Sequence, residues 1–305
     1  MQKNRDLKAF IDTIFQMTSY YPLLFIAAYA ALIALCIESS PDLLVDNAAE
    51  LEIAQKMAAL VYDNQKQERD KHSKSFASLS VFPAQWPCFY GEEATGDYGT
   101  WEQGLIKYTD GWKFTCGLRR IASPCVVYSM GSCGNMAFEK GLLKSNPGCE
   151  IHIFDKDEYG VDSWFPNPVD RKKVHFHRVF IGDHDSDTAN PPVRKLSTIM
   201  KKHHHTHIDV LKMDIEGGEW EVLQAALPSV GQLLAEVHLS GGMAKGKGTD
   251  EQVALLKKMF NNIENHGLRL FHKEINARWD MGCVEFAFIQ ATWSPEGKNY
   301  TSTQT

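Results

Sequence analysis

The sequence has no Cys-x-x-Cys pair, no Gly-x-Gly-x-x-Gly run, no internal repeat and no surplus of positive charge. Each absence removes a class. Seven cysteines in 305 residues are too few for a disulfide-built miniprotein. Without the three-glycine fingerprint, a nicotinamide-dependent dehydrogenase is disfavoured. A net charge of −6 and a pI near 6.1 argue against a nucleic-acid partner, which would call for a basic chain to neutralise phosphates. The acidic stretch Gly182-Asp183-His184-Asp185-Ser186-Asp187 is no EF-hand, because Thr188 and Arg194 stand where the loop needs Gly and Glu. Wholesale disorder is excluded by a 44% hydrophobic content. The length fits one large domain with additions, or two domains.

Charge is also missing from Thr13 to Ile37, whose core reads YYPLLFIAAYAALIALCI. A bilayer span takes about 20 mainly apolar residues. Lys3, Arg5 and Lys8 precede the run and acidic residues follow it, so a basic cytosolic flank and a luminal remainder are expected. The reading is a single-pass type II protein of the secretory pathway: tail and signal anchor over 1–38, membrane contact through that helix, and a helical stem over 39–84. A cleaved signal peptide, giving a secreted chain, and a buried soluble helix are the alternatives. The sequon Asn299-Tyr300-Thr301 agrees with a luminal body. Cys88 and Cys116 are either bridged in such a body or reduced and buried.

From Pro124 on, short apolar runs alternate with helical stretches. The runs are Cys125–Tyr128, Glu150–Phe154, Val174–Ile181, Ile208–Met213, Leu233–Leu239, Leu268–His272 and Val284–Gln290; the helices include Met136–Leu143, Glu219–Leu227 and Glu251–His266. Such alternation predicts an α/β layer fold with a mainly parallel sheet. Ligands of such sheets bind beyond the carboxyl ends of the strands. The first strand runs into Gly131-Ser132-Cys133-Gly134 and then a helix, a backbone turn suited to close approach of a ligand. Asp155 ends the second strand 24 residues after Gly131, where an acid can accept ribose hydroxyls or cap a helix. The third strand leads to Asp183. The fourth carries Asp214 and Glu216 into Gly217-Gly218-Glu219-Trp220, and the fifth ends in Glu236-Val237-His238. Carboxylates at a sheet centre are costly unless solvated, paired or used. His203-His204-His205-Thr206-His207 precedes a strand, at the edge away from this pocket, and reads as a polar surface loop; no metal ligand is assigned.

The series VVYSMGSCGNMAFE, IHIFDKDE, VFIGD, IDVLKMDIEGGEWEVL and LLAEVHL resembles the FkbM-type S-adenosylmethionine-dependent methyltransferases, in the animal branch with an N-terminal membrane segment. The resemblance covers about residues 85–292, leaving 293–305 as a tail. It implies a class I, Rossmann-like, seven-stranded sheet with helices on both faces and its last strand antiparallel. It also implies S-adenosylmethionine over Gly131, Ser132 and Gly134, Asp155 on the ribose, Asp183 near the adenine, and Asp214 near the methionine end or the acceptor. Members are mostly O-methyltransferases, which favours a small-molecule or glycan hydroxyl as acceptor. His238 is the first candidate for the base, with Asp214 or Glu216 second. One departure stands out: the usual acid two positions before the first glycine is Ser129, so contact with the donor's amino group must come from elsewhere. A Golgi-type glycosyltransferase using Asp155-Lys156-Asp157 and a catalytically inactive module of the same fold are the competing readings.

Overall fold

The computed structural model describes residues 84–96, 111–239, 241–275 and 283–295, the backbone of 100–102 and 105–107, Phe82, and helical positions between 54 and 66. The chain divides into two units, Met1–Leu51 and Glu52–Thr305, and every described residue belongs to the second. The expected membrane anchor therefore lies outside the described residues. Among the described residues no helix is long and apolar enough to cross a membrane.

Strands β1 (Glu92–Gly96), β2 (Thr100–Glu102), β3 (Leu105–Lys107) and β4 (Trp112–Cys116) come first. There follow β5 (Cys125–Met130), α1 (Ala137–Ser145), β6 (Cys149–Asp155), α2 (Pro168–Arg171), β7 (Val174–Arg178), β8 (Phe180–Ile181) and β9 (Val193–Arg194). The last group is α3 (Leu196–Lys202), β10 (Ile208–Met213), α4 (Glu219–Val222), β11 (Val230–His238), α5 (Thr249–Asn265), β12 (Leu268–Ile275) and β13 (Cys283–Gln290). Seven strands form one sheet in the order β12-β13-β11-β10-β5-β6-β7. Only β13 runs against its neighbours. This is the class I methyltransferase topology. Strand order reverses between β5 and β10, which opens the crevice where ligands bind.

All seven expected strands form, because continuous apolar runs suit strands buried on both faces. Two expectations need correction. The third strand stops at Arg178, and Val179 instead donates its N–H to the Asp155 carbonyl at 2.8 Å; β8 then pairs with β9 outside the main sheet. The helix expected over Glu219–Leu227 is α4 alone, four residues long.

On one face Phe260 of α5 meets Phe286 and Phe288 of β13 at centroid distances of 5.0 and 5.2 Å, and Phe82 at 4.4 Å. Trp220 is fully buried in the same core. Helix α1 and the antiparallel pair β1–β4 lie on the other face. A Cβ on Gly141 of α1 would sit 2.6 Å from the Gly96 nitrogen, so the helix and hairpin approach closely. The Gln232 amide of β11 exchanges two hydrogen bonds with the Cys116 backbone, at 2.9 and 2.6 Å.

Cys88 and Cys116 are bridged, and so are Cys125 and Cys149, direct neighbours on β5 and β6. The second pairing was not anticipated. In the expected stem, the described helical positions pack on the body: Tyr62 is buried and donates to Glu264 at 2.5 Å, while Lys66 pairs with Glu264 at 3.0 Å.

Candidate active site

The glycine turn is built by strand ends. Gly131 takes φ +76 and Gly134 φ +77, conformations that penalise any Cβ. A Cβ on Gly131 would lie 1.6 Å from the Asp214 carbonyl oxygen. The Gly131 N–H donates to Phe154 O at 2.8 Å, and the Asp214 N–H donates to Met130 O at 2.9 Å. The buried Lys212 ammonium donates to the Gly131 carbonyl. The first and fourth strand ends are thus locked together at the switch in strand order.

Asp155 organises this turn from the end of β6. Its Oδ2 accepts from the N–H groups of Ser132 (2.8 Å) and Cys133 (3.0 Å) and from Ser132 Oγ (3.3 Å), and its Oδ1 accepts from Asp157 N (3.1 Å). Burial alone would raise its pKa, but these donors prevail and hold it below the usual carboxylate value. Its neighbour Asp157 pairs instead with Lys156, so the two acids serve separate local contacts, and the acid-x-acid metal pair of a glycosyltransferase loses support.

A buried acid lies behind Ser129. Glu139, in the first turn of α1, is fully buried, and its Oε1 accepts from Ser129 Oγ. Its Oε2 is buried with no hydrogen-bond partner among the described residues. The ring of Tyr159 lies over Gly134, where an added Cβ would be 2.9 Å from it.

The Asp-x-Glu-Gly-x-Glu turn divides its acids between two tasks. Glu219 is fully buried and accepts from Ile215 N at 2.7 Å and Gly217 N at 2.8 Å. It clamps the turn and meets His238 Nδ1 at 3.2 Å. Glu216, at φ +56, is mostly exposed and lies 3.3 Å from His238 Nε2. Gly217, at φ +99, passes so close to the segment after β11 that a Cβ would be 2.4 Å from Gly242 N. Trp220 Nε1 donates to the His238 carbonyl at 2.9 Å.

His238 carries a raised pKa, about 9. Burial favours the neutral ring, but it is outweighed by the Glu219 hydrogen bond and the charges of Glu219, Asp214 and Glu216. Such a shift favours the imidazolium, which weighs against His238 as the general base. Asp214 moves the other way from its surroundings: burial raises its carboxyl despite the nearby cations Lys212 and Lys113.

Lys113 was missed in the sequence. It reaches from β4 of the covering hairpin to Glu285 at 2.6 Å, Glu236 at 3.3 Å and Asp214 at 3.7 Å, and it is buried. Burial disfavours its charge, yet these three carboxylates keep it an ammonium and push its pKa up. Glu236 and Glu285 are cross-strand partners. Burial, and then the charge and contact of Glu236, drive the Glu285 pKa well up against the pull of Lys113. Cys283, opposite His238 on β13, is pushed up to about 12 by burial and Glu236.

Asp183 stands apart. Beyond the end of β7 and half exposed, it binds His184 Nδ1 at 2.7 Å, which holds its pKa low. The structure brings together Gly131, Ser132, Gly134 and Asp155, and joins them through the Gly131–Asp214 contact to Asp214, Glu216 and His238. It leaves Asp183 on its own loop.

A family model described as "Methyltransferase domain" matches residues 52–290. The human and rat proteins described as "Probable methyltransferase-like protein 24" are 31% and 30% identical to the chain over 161 residues, which is 48% of this chain and 42% of each relative. The match thus spans less than half the length of these relatives. The solved Methanococcus jannaschii fibrillarin pre-rRNA processing protein aligns at 11% identity with a TM-score of 0.37, covering 57% of this chain and 69% of that one.

Proposed function

From the premise that the chain belongs to the methyltransferase-domain family, we propose that it is an S-adenosylmethionine-dependent methyltransferase acting on a hydroxyl of a small molecule or glycan. The observation that carries the reading is the junction of the Gly131 turn with Asp214 at the switch in strand order. Two features fit the donor. Gly131 and Gly134 present bare backbone above Asp155, whose Oδ1 keeps a lone pair for a ribose hydroxyl. Glu139 Oε2, behind Ser129 and without a hydrogen-bond partner among the described residues, supplies the acid that position 129 lacks.

The donor supplies an electrophilic methyl on a sulfonium, and in-line alignment accounts for much of the acceleration. Asp214 takes the acceptor's hydroxyl proton, since burial makes its carboxylate more basic than an exposed one. Lys113 and the His238 imidazolium flank it and hold its orientation. Glu216, exposed at the rim, faces the acceptor side. Asp183 contacts the adenine after releasing His184. The FkbM type is part of this proposal and rests on the Asp-x-Glu-Gly-x-Glu turn. So is the luminal placement, which the two disulfides support, because such bonds persist in oxidising compartments.

The test is methyl transfer from radiolabelled S-adenosylmethionine to a panel of hydroxylated small molecules and glycans. Asp214→Asn is expected to bind the donor normally while turnover drops by about 100-fold or more. Full turnover by Asp214→Asn would refute the assignment of the base. Donor binding without turnover of any acceptor by the wild type would favour the inactive module.

A further inference from the structure

Away from the glycine turn, five histidines from three segments meet on one face of the sheet. His152 on β6 and His175 on β7 are register partners, and His177 follows on β7. His203 and His205 come from the loop between α3 and β10. The loop expected to be polar surface is therefore folded onto the sheet: His203 lies 4.7 Å from both His152 and His177 by ring centroids. His204 alone, at φ +58, turns outward to solvent.

We propose that His152, His177 and His203 form a binding site for a divalent transition metal of zinc-like preference. Their ligand nitrogens all lie within 4.8 Å of one another. His152 Nδ1 and His177 Nε2 are 3.0 Å apart, close to the roughly 3.3 Å separating two ligands on a tetrahedral zinc with bonds near 2.0–2.1 Å. His152 is 3% exposed, and its other nitrogen, Nε2, is buried without a hydrogen-bond partner among the described residues, 3.3 Å from the Glu150 carboxylate. The charge of that carboxylate favours the tautomer with its proton on Nε2, which turns the Nδ1 lone pair to the metal, as outer carboxylates do for ligating histidines. Imidazole ligands suit zinc, copper and nickel over magnesium or calcium.

The site would join β6, β7 and the α3–β10 loop, and it uses none of the groups assigned to methyl transfer. Its test is therefore independent of the donor. Chelator-treated full chain is titrated calorimetrically with zinc chloride, and melting is followed with and without the ion. The expected result is about one equivalent bound per chain, with a higher melting temperature. Affinity falls by about 100-fold in His203→Asn and in His177→Asn, and His204→Asn behaves as wild type. Because His203 sits in a partly exposed loop, its variant keeps the test open if His177→Asn fails to fold. Absence of zinc uptake by the wild type, or unchanged affinity in His203→Asn, overturns the proposal. So does uptake lost in His238→Asn but kept in His203→Asn, which would place the ion in the cleft beside Glu236 and Cys283.

Discussion

At Gly131 the backbone leaves no room for a side chain. The residue combines a left-handed backbone with a carbonyl oxygen where its Cβ would go. Gly131→Ala is expected to lower the unfolding free energy by roughly 2 kcal/mol or more in urea titrations and to abolish donor binding. Gly134→Ala should be milder, because its obstacle is the side chain of Tyr159, which can swing away. Lys113 makes a second prediction. Removing one partner of a buried ion cluster costs about 3–5 kcal/mol, so Lys113→Met should be severely destabilised and partly rescued by adding Glu285→Gln. His238 makes a third. Its folded pKa, about 9, exceeds the unfolded value of about 6.5. Its contribution to stability is therefore complete below pH 6.5 and is lost as pH rises through 9. Nuclear magnetic resonance should find the His238 ring titrating near pH 9, and Glu219→Gln should bring that value down; an unchanged value would contradict the Glu219 contact.

Among the elements, the strands were legible because the parallel ones are continuous apolar runs, and their ends named Gly131, Asp155 and Asp214 directly. The β1–β4 hairpin was not. In β4 the inward residues are Lys113 and Thr115, while Trp112 and Phe114 are only half-buried. The hydrophobic pattern is thus inverted, and Lys113 became visible only when β13 and β11 brought Glu285 and Glu236 beneath it. The histidine cluster was hidden for a similar reason: register across β6 and β7, and one loop, join residues that no local spacing connects. Third-strand length failed because apolar residues continue past Arg178 after the chain has left the sheet. The Cys88–Cys116 bridge closes a separation of 28 residues and ties β4 to the segment before β1. On chain-entropy grounds such a loop is worth about 3.5 kcal/mol. Replacing both cysteines by serine should lower the urea midpoint accordingly and loosen the hairpin that delivers Lys113.

For the molecule as a whole, the topology places two kinds of chemistry at one crevice. A bare glycine turn is held by Asp155 on one side of the strand-order switch. A charged cluster of Asp214, Lys113 and His238 stands on the other. The second half of the account depends on the first being a donor site. The most direct measurement is calorimetric titration of the chain with S-adenosylmethionine and S-adenosylhomocysteine. The account predicts micromolar binding of both, lost in Asp155→Asn and retained in Asp214→Asn. No binding to the correctly folded wild type, or binding unaffected by Asp155→Asn, would contradict it.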